Sequence, residues 1–444
     1  MPDFQNILDR FFSIRDSGST VGTEVRAGLV TFMTASYIIF VQPSVMEQAG
    51  MDFGAVMTAT CIASAIGCLI MGLWANYPIA LAPGMGLNFY FTFTVVMGQG
   101  ISWQVALGAV FLSGIGLILL TLLRFREVII NSIPESLKIG IAAGIGLFVA
   151  FIGLVQGGLV KDHPGTLVQL GSLTSLPALY TLGGVFLIGT LLQRKVKGAI
   201  LIGIVAMAGL GLLLGLVEYQ GLVSAPPSLG PTWMQLDILG ALDLGLLTIA
   251  GVFLFVDLFD TAGTLVGIGH QGGFLKDGKL PRARKALMPD SVGTTAGAML
   301  GTSTVTCYIE SAVGVAEGGR TGLTSVVTAL LFLLALLFSP IARMVGSGYS
   351  TEGVTLYPIT APVLIIVGCM MAANVARIKW GQWDESLPAF LVLIGMPLTY
   401  SIADGMAMGI IAYPVIKLLC GKIREVHWCM GVISLLFVLR YLTL

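Results

Sequence analysis

Apolar runs of about twenty residues follow one another along almost the whole chain, parted by short polar breaks. A run of that length is what an α-helix needs to cross the ~30 Å hydrocarbon layer of a bilayer. Hydrophobic residues make up 56% of the chain and charged residues only 10%, well under the roughly 25% of a soluble domain. So few charges cannot cover a water-facing surface. Disorder is excluded as well, because it needs low hydrophobicity. An all-α polytopic membrane protein is expected, and 444 residues leave room for about fourteen spans with short loops.

The runs fall near 27–45, 53–75, 80–98, 103–123, 137–157, 177–193, 199–217, 244–268, 286–301, 303–316, 321–344, 358–376, 387–401 and 403–419, with a shorter apolar stretch at 427–443. Two segments are too broken for plain spanning helices. One, 78–98, opens with Pro78, Pro83, Gly84 and Gly86; the other, 301–316, carries Gly301, a Ser/Thr run and Gly314. Both read as half-helices preceded by extended backbone. With a cytoplasmic N-terminus, twenty of the 23 basic residues fall in inside loops, Arg124, Arg126 and the basic loop Gly272–Lys285 among them. That asymmetry supports the orientation and the span count.

The chain also resembles itself at an offset of roughly half its length. Ile133-Pro134 is matched by Tyr357-Pro358, and the broken segment around Met85 by that around Cys307. Seven spans per half is an odd number, so the halves must insert with opposite orientation. Inverted repeats with paired broken helices mark secondary transporters. At an offset of 222, Asn88 is the counterpart of Glu310.

Carboxylates within spans are costly and are functional candidates by default. Asp257 and Asp260 lie three apart in Gly251–Thr264, on one helix face. Glu310 lies in the second broken segment, and no lysine or arginine is near them in sequence. Close carboxylates cannot all ionise freely, so the three can carry a proton, as proton coupling requires. Asn88 sits in the first broken segment, where an amide can bridge half-helices or touch a ligand. Phe89, Tyr90, Phe259 and Tyr308 stand beside these groups. Flat aromatic walls next to carboxylates suit a planar ligand with N–H donors. The run Glu317–Gly322 reads as a tight turn with an Arg320–acid pair. The six cysteines and three histidines show no metal-ligand spacing, so no metal and no cofactor are expected beyond a proton. No basic stripe invites nucleic acid, no P-loop suggests ATP-driven pumping, and the N-terminus lacks a signal-peptide h-region.

The chain resembles the nucleobase–cation symporters related to bacterial uracil permease, and within them the AzgA-like purine permeases. The matching stretches are Thr31–Thr34, Ala82–Asn88, Asp257–Thr264, Asp290–Val292, Gly301–Thr306, Tyr308–Ser311 and Gly318–Leu323. The resemblance implies fourteen spans in a seven-plus-seven inverted repeat. A core would form from 26–125 (spans 1–4) and 244–344 (spans 8–11). A gate would form from 126–243 (spans 5–7) and 345–425 (spans 12–14). A cytoplasmic segment, 1–25, would precede them, and a C-terminal apolar segment, 426–444, would follow. It further implies proton-coupled uptake of adenine, guanine or hypoxanthine through a cell membrane, by a homodimer joined at the gate. Ligand positions carried over are Asn88, Asp257, Asp260 and Glu310, with backbone around Ile309 and Ser311; the carboxylates Asp257, Asp260 and Glu310 are the candidate coupling groups. Phe89-Tyr90 departs from the family pattern after the Asn and would narrow the pocket mouth. Two other readings compete. An anion exchanger of the same fold would want an Arg or Lys at the midplane, and none is found there. An intramembrane aspartyl protease would want a Gly-x-Gly-Asp arrangement, which is missing.

Overall fold

The computed structural model describes residues 2–275, 280–351 and 353–443; Lys276 and Lys279 of the basic loop lie outside them. The described residues form a helical bundle with three short two-stranded ladders. Eight helices, from Val21–Gln48 to Ile402–Leu419, are long and apolar enough to cross a membrane. Met85–Gly98, Ala199–Leu213, Ala361–Arg377 and Trp428–Leu442 are shorter and apolar. The helical polytopic class follows the composition. Length alone resolves eight of the fourteen expected spans, because several apolar runs bend or break.

The first run bends at Ser36–Tyr37, between Val21–Ala35 and Ile38–Gln48. The Thr34 hydroxyl donates to the Val30 carbonyl at 2.8 Å and the Ser36 hydroxyl to Met33 at 3.2 Å. Such back-bonding loosens a helical turn. The bend frees Tyr37 to point across the bundle.

The two broken segments meet. Leu81–Pro83 and Val305–Cys307 pair antiparallel, with Ala82 opposite Thr306. The Gly84 N–H donates to Thr304 and the Tyr308 N–H to Ala80, both at 2.9 Å, which lengthens the ladder at each end. Extended backbone inside an apolar bundle needs every polar group satisfied, and side chains close the outer edges here. Cys68 Sγ accepts from the Leu81 N–H at 3.1 Å. Thr294 Oγ1 accepts from the Val305 N–H at 3.0 Å, and its single proton is shared between the Val305 carbonyl and Asp257 Oδ2, both at 3.2 Å. No helix runs unbroken through Pro83–Asn88: the strand ends at Pro83 and helix begins at Met85. The second half-helix is Ser311–Ala316.

The ladder corrects the repeat register. A local two-fold passes between Ala82 and Thr306, an offset of 224 residues (306 minus 82). Pro134 and Pro358 share that offset. At 224, Asn88 corresponds to Ala312, whereas the expected offset of 222 pairs it with Glu310, two residues away. Close approach of the halves also needs glycine. A Cβ on Gly322 would lie 2.0 Å from the Gly72 carbonyl oxygen.

The stretch expected at 427–443 is a helix, Trp428–Thr443, packed along the bundle. The Phe437 ring lies 6.2 Å from Phe255, and the Tyr441 hydroxyl donates to Asp404 at 2.5 Å.

Candidate functional site

The ladder positions the candidate groups, because each half-helix starts where its strand stops. Glu310 precedes Ser311–Ala316 in the turn that follows the second strand. It is 2% exposed, and the Tyr37 hydroxyl donates to its Oε1 at 2.7 Å. The Tyr308 hydroxyl donates to the Pro83 carbonyl at 2.6 Å, tying the strands together from the side. The Tyr37 and Tyr308 rings lie 6.3 Å apart and wall the carboxylate.

Asn88 is buried in the first turns after the other strand. Its Oδ1 accepts from the Ser303 hydroxyl, while Nδ2 has no partner among the described residues. A buried amide with two free donors marks a place for a ligand or a water. The ladder keeps Asn88 and Glu310 apart: one lies beyond Gly84, the other beyond Tyr308, at opposite ends.

Asp257 and Asp260 lie on the long helix Leu244–Gln271, which runs beside the second strand. Their settings differ. Asp257 is fully buried, its Oδ2 accepts from Thr294 Oγ1 at 3.2 Å, and its carboxyl lies within bonding reach of Asp290. Asp260 is half-buried, beside the Thr306 hydroxyl and near Glu310. One helical turn thus separates an acid sealed among helices from an acid at the accessible face.

Ser311 is already engaged. Its hydroxyl accepts from the Ala80 N–H at 2.9 Å and donates to the Tyr308 carbonyl at 2.7 Å, and its own N–H bonds Tyr308. Ile309 is half-buried, facing Gly267. The residues Phe89 and Tyr90 point into packing: Phe89 stacks on Phe93 at 5.9 Å, and Tyr90 meets Phe253 edge-on at 5.1 Å.

Sequence reasoning missed a buried ion pair. Arg126, placed in a basic inside loop, is fully buried, as is Asp290. Its Nη2 donates to Asp290 Oδ2 at 2.5 Å, and Nη1 donates to the Leu287 carbonyl and the Ser291 hydroxyl, both at 3.0 Å. No lysine or arginine is near Asp257 in sequence, but in space the Arg126–Asp290 pair stands beside it. Desolvating a guanidinium is tolerable only with such a partner set. The sequence signal was its helix, Phe125–Ser132, where Ile129 shares the inward face at a spacing of three. Because Arg126 is spent on Asp290, it is not itself available to an anion.

A second correction concerns Arg320. Its guanidinium donates to the Val315 and Gly319 carbonyls at 2.7 and 2.8 Å, not to an acid. The acid at this turn is the buried Glu24, which accepts from the backbone N–H groups of Arg320 at 2.9 Å and Thr321 at 3.2 Å. Glu24 thereby serves the start of the Gly322–Ala335 helix.

Residues 22–408 match the model of a permease family, Xan_ur_permease. A putative permease of Methanocaldococcus jannaschii is 52% identical over 98% of both chains. The adenine permease AdeP of Escherichia coli K12 is 45% identical over 98% of this chain and 96% of its own. The guanine/hypoxanthine permease PbuG of Bacillus subtilis 168 is 45% identical over 98% and 100%. Among solved structures, the transmembrane domain of the cyanobacterial bicarbonate transporter BicA superposes with a TM-score of 0.61, covering 86% of this chain and 97% of that one. At 16% identity that likeness is one of fold.

Proposed function

The chain belongs to the permease family, and from that premise we propose that it is a secondary transporter importing purine nucleobases together with protons. It is a transporter and not an enzyme. The names of AdeP and PbuG carry the substrate class across at 45% identity over nearly full length.

The observation that carries the reading is Glu310, a buried carboxylate between two tyrosines and beside half-buried Asp260. Ionised carboxylates only accept hydrogen bonds. They therefore select a ligand edge rich in N–H donors, such as the imidazole N–H common to the purine bases. On this reading Glu310 and Asp260 take the base edge, the backbone at Ile309 adds contacts, and Tyr308 faces its ring, while Phe259 stacks on Phe255. Asn88 offers its free Nδ2 from the far end of the ladder, and Ser311 holds the ladder in shape.

The protons belong to the same cluster. Asp257, Asp260, Asp290 and Glu310 set four carboxyl groups against one guanidinium, Arg126. That surplus of buried charge is costly unless protons neutralise part of it. Among the described residues, Asp257 Oδ1 and Asp290 Oδ1 have no hydrogen-bond partner. Two acceptors facing each other are satisfied by one proton between them. We assign the coupling proton to this pair, which adds Asp290 to the candidates Asp257, Asp260 and Glu310. The ladder and both half-helices would move with the core, 26–125 and 244–344. The gate, 126–243 and 345–425, would stay as the dimer interface. The N-terminus would be cytoplasmic, following the basic loops.

Uptake of labelled hypoxanthine and adenine by cells lacking their own purine permeases tests this. The expected result is saturable uptake that unlabelled purines compete and a protonophore abolishes. Uptake that survives full collapse of the proton gradient removes the coupling. Bicarbonate exchange without purine uptake removes the nucleobase.

A further inference from the structure

We propose that the face carrying the basic loops holds a site for the phosphate group of an anionic lipid, separate from the nucleobase site. A cavity of about 560 Å³ opens there between three elements. These are the short helix Phe125–Ser132, the end of Leu244–Gln271 and the start of Ala283–Leu300. Four cations line it, Arg124, Arg282, Arg284 and Lys285, against one carboxylate, Glu127.

The four cations are not equivalent. Arg282 is engaged, donating to the Asn76 carbonyl at 3.2 Å with its guanidinium 4.5 Å from the Tyr77 ring centre. Arg124, Arg284 and Lys285 have no ion pair among the described residues. Arg124 is set at the cavity by a left-handed turn, φ 60°, where one helix ends and the next begins. Three unpaired cations around one hollow repel each other, and an anion relieves that repulsion. Arginine forks match the oxygens of a phosphate.

The other wall of the cavity is apolar. Ile130, Leu265 and Val266 line it, and Val266 is 49% exposed. Just outside, Phe125 is 44% exposed and Val128 36%. A cationic rim above an apolar wall fits an amphiphile, with a phosphate at the rim and acyl chain along the wall. Basic pockets between helices at the cytoplasmic face are where anionic headgroups bind.

Native mass spectrometry of the purified full-length protein is the test. The protein is released from vesicles of phosphatidylglycerol mixed with phosphatidylcholine. The wild type should retain phosphatidylglycerol in preference to phosphatidylcholine. A triple variant, Arg124→Gln, Arg284→Gln and Lys285→Gln, should bind it roughly 100-fold more weakly, about fivefold for each charge. All three side chains are exposed, so the fold should persist, and unchanged purine binding by the variant checks that it does. A control pair, Arg194→Gln with Lys195→Gln, should leave retention unaltered. Equal retention of both lipids, or equal loss in the control, would overturn the proposal. A third arm adds inorganic phosphate alone. Stabilisation of the wild type by phosphate to which phosphatidylglycerol adds nothing would assign the site to the free ion and overturn the lipid.

Discussion

Glu310 carries the most specific residue-level consequences. Glu310→Gln puts a donor where the ligand also donates and leaves a buried group unpaired, at a cost of about 1–3 kcal/mol. That corresponds to a loss of purine affinity of roughly 5- to 150-fold. Titration calorimetry in detergent measures it apart from transport, and unchanged affinity would remove Glu310 from the site. The two aspartates should separate by phenotype. Asp260→Asn, at the accessible face, should weaken purine binding. Asp257→Asn should keep binding but lose the dependence of uptake on the proton gradient. If Asp257→Asn transports with full proton dependence, the Asp257–Asp290 pair is not the coupling group. Asp257, Asp260, Glu310 and Asn88 were legible in the sequence because polar groups inside apolar runs stand out. Tyr37 and Arg126 were not, and Asp290 stood out only within a matching stretch, without a partner or role. Tyr37 sits at an unforeseen bend and meets Glu310 from 273 residues away. Arg126 lies among loop arginines, and its partner is 164 residues distant.

At the scale of elements, the broken segments were readable from Pro83, Gly84, Gly301 and Gly314, residues that disfavour continuous helix. Their mutual pairing was not, since an antiparallel ladder is a contact between distant parts of the chain. Nor could sequence tell that Cys68 and Thr294 would close its two edges. The short helix Phe125–Ser132 was hidden inside what reads as a connecting loop. It is held to Ala283–Leu300 by Arg126. Removing one partner of a buried pair costs about 3–5 kcal/mol, while replacing both with apolar groups is often neutral. Arg126→Met should therefore lower the melting temperature in detergent markedly. Arg126→Met combined with Asp290→Leu should regain most of it, though not proton-coupled uptake. A double variant no more stable than the single one would show that the pair does not act as a unit.

For the whole molecule, membrane class and helical architecture followed from composition, and the expectation of a repeat rested on a few landmarks. The register of the repeat needed the ladder, because one or two inserted residues between landmarks leave no trace in apolar sequence. The ionic finish of the bundle was equally invisible. Lys417, its side chain 3% exposed, contacts Asp384 at 3.0 Å, Glu385 at 3.3 Å and Glu425 at 2.6 Å, and Lys422 reaches Asp384 at 2.7 Å. Three successive elements, Trp383–Thr399, Ile402–Leu419 and Ile423–Glu425, are joined there. Asp384 lies ahead of the apolar stretch of its helix. Hydrogen bonds from Lys422 and Lys417 hold its carboxyl down at about 2, below the ~3.9 of an unfolded aspartate. The folded state thus binds this proton more weakly than the unfolded one. Its stabilisation is fully present above about pH 4 and is lost as pH falls through about 2. Thermal unfolding in detergent between pH 7 and pH 2 should show a steep fall in melting temperature at the acid end. In Asp384→Asn the melting temperature should start lower at pH 7 and fall less over the same range. Parallel curves for the two proteins would mean that the cluster does not set acid stability.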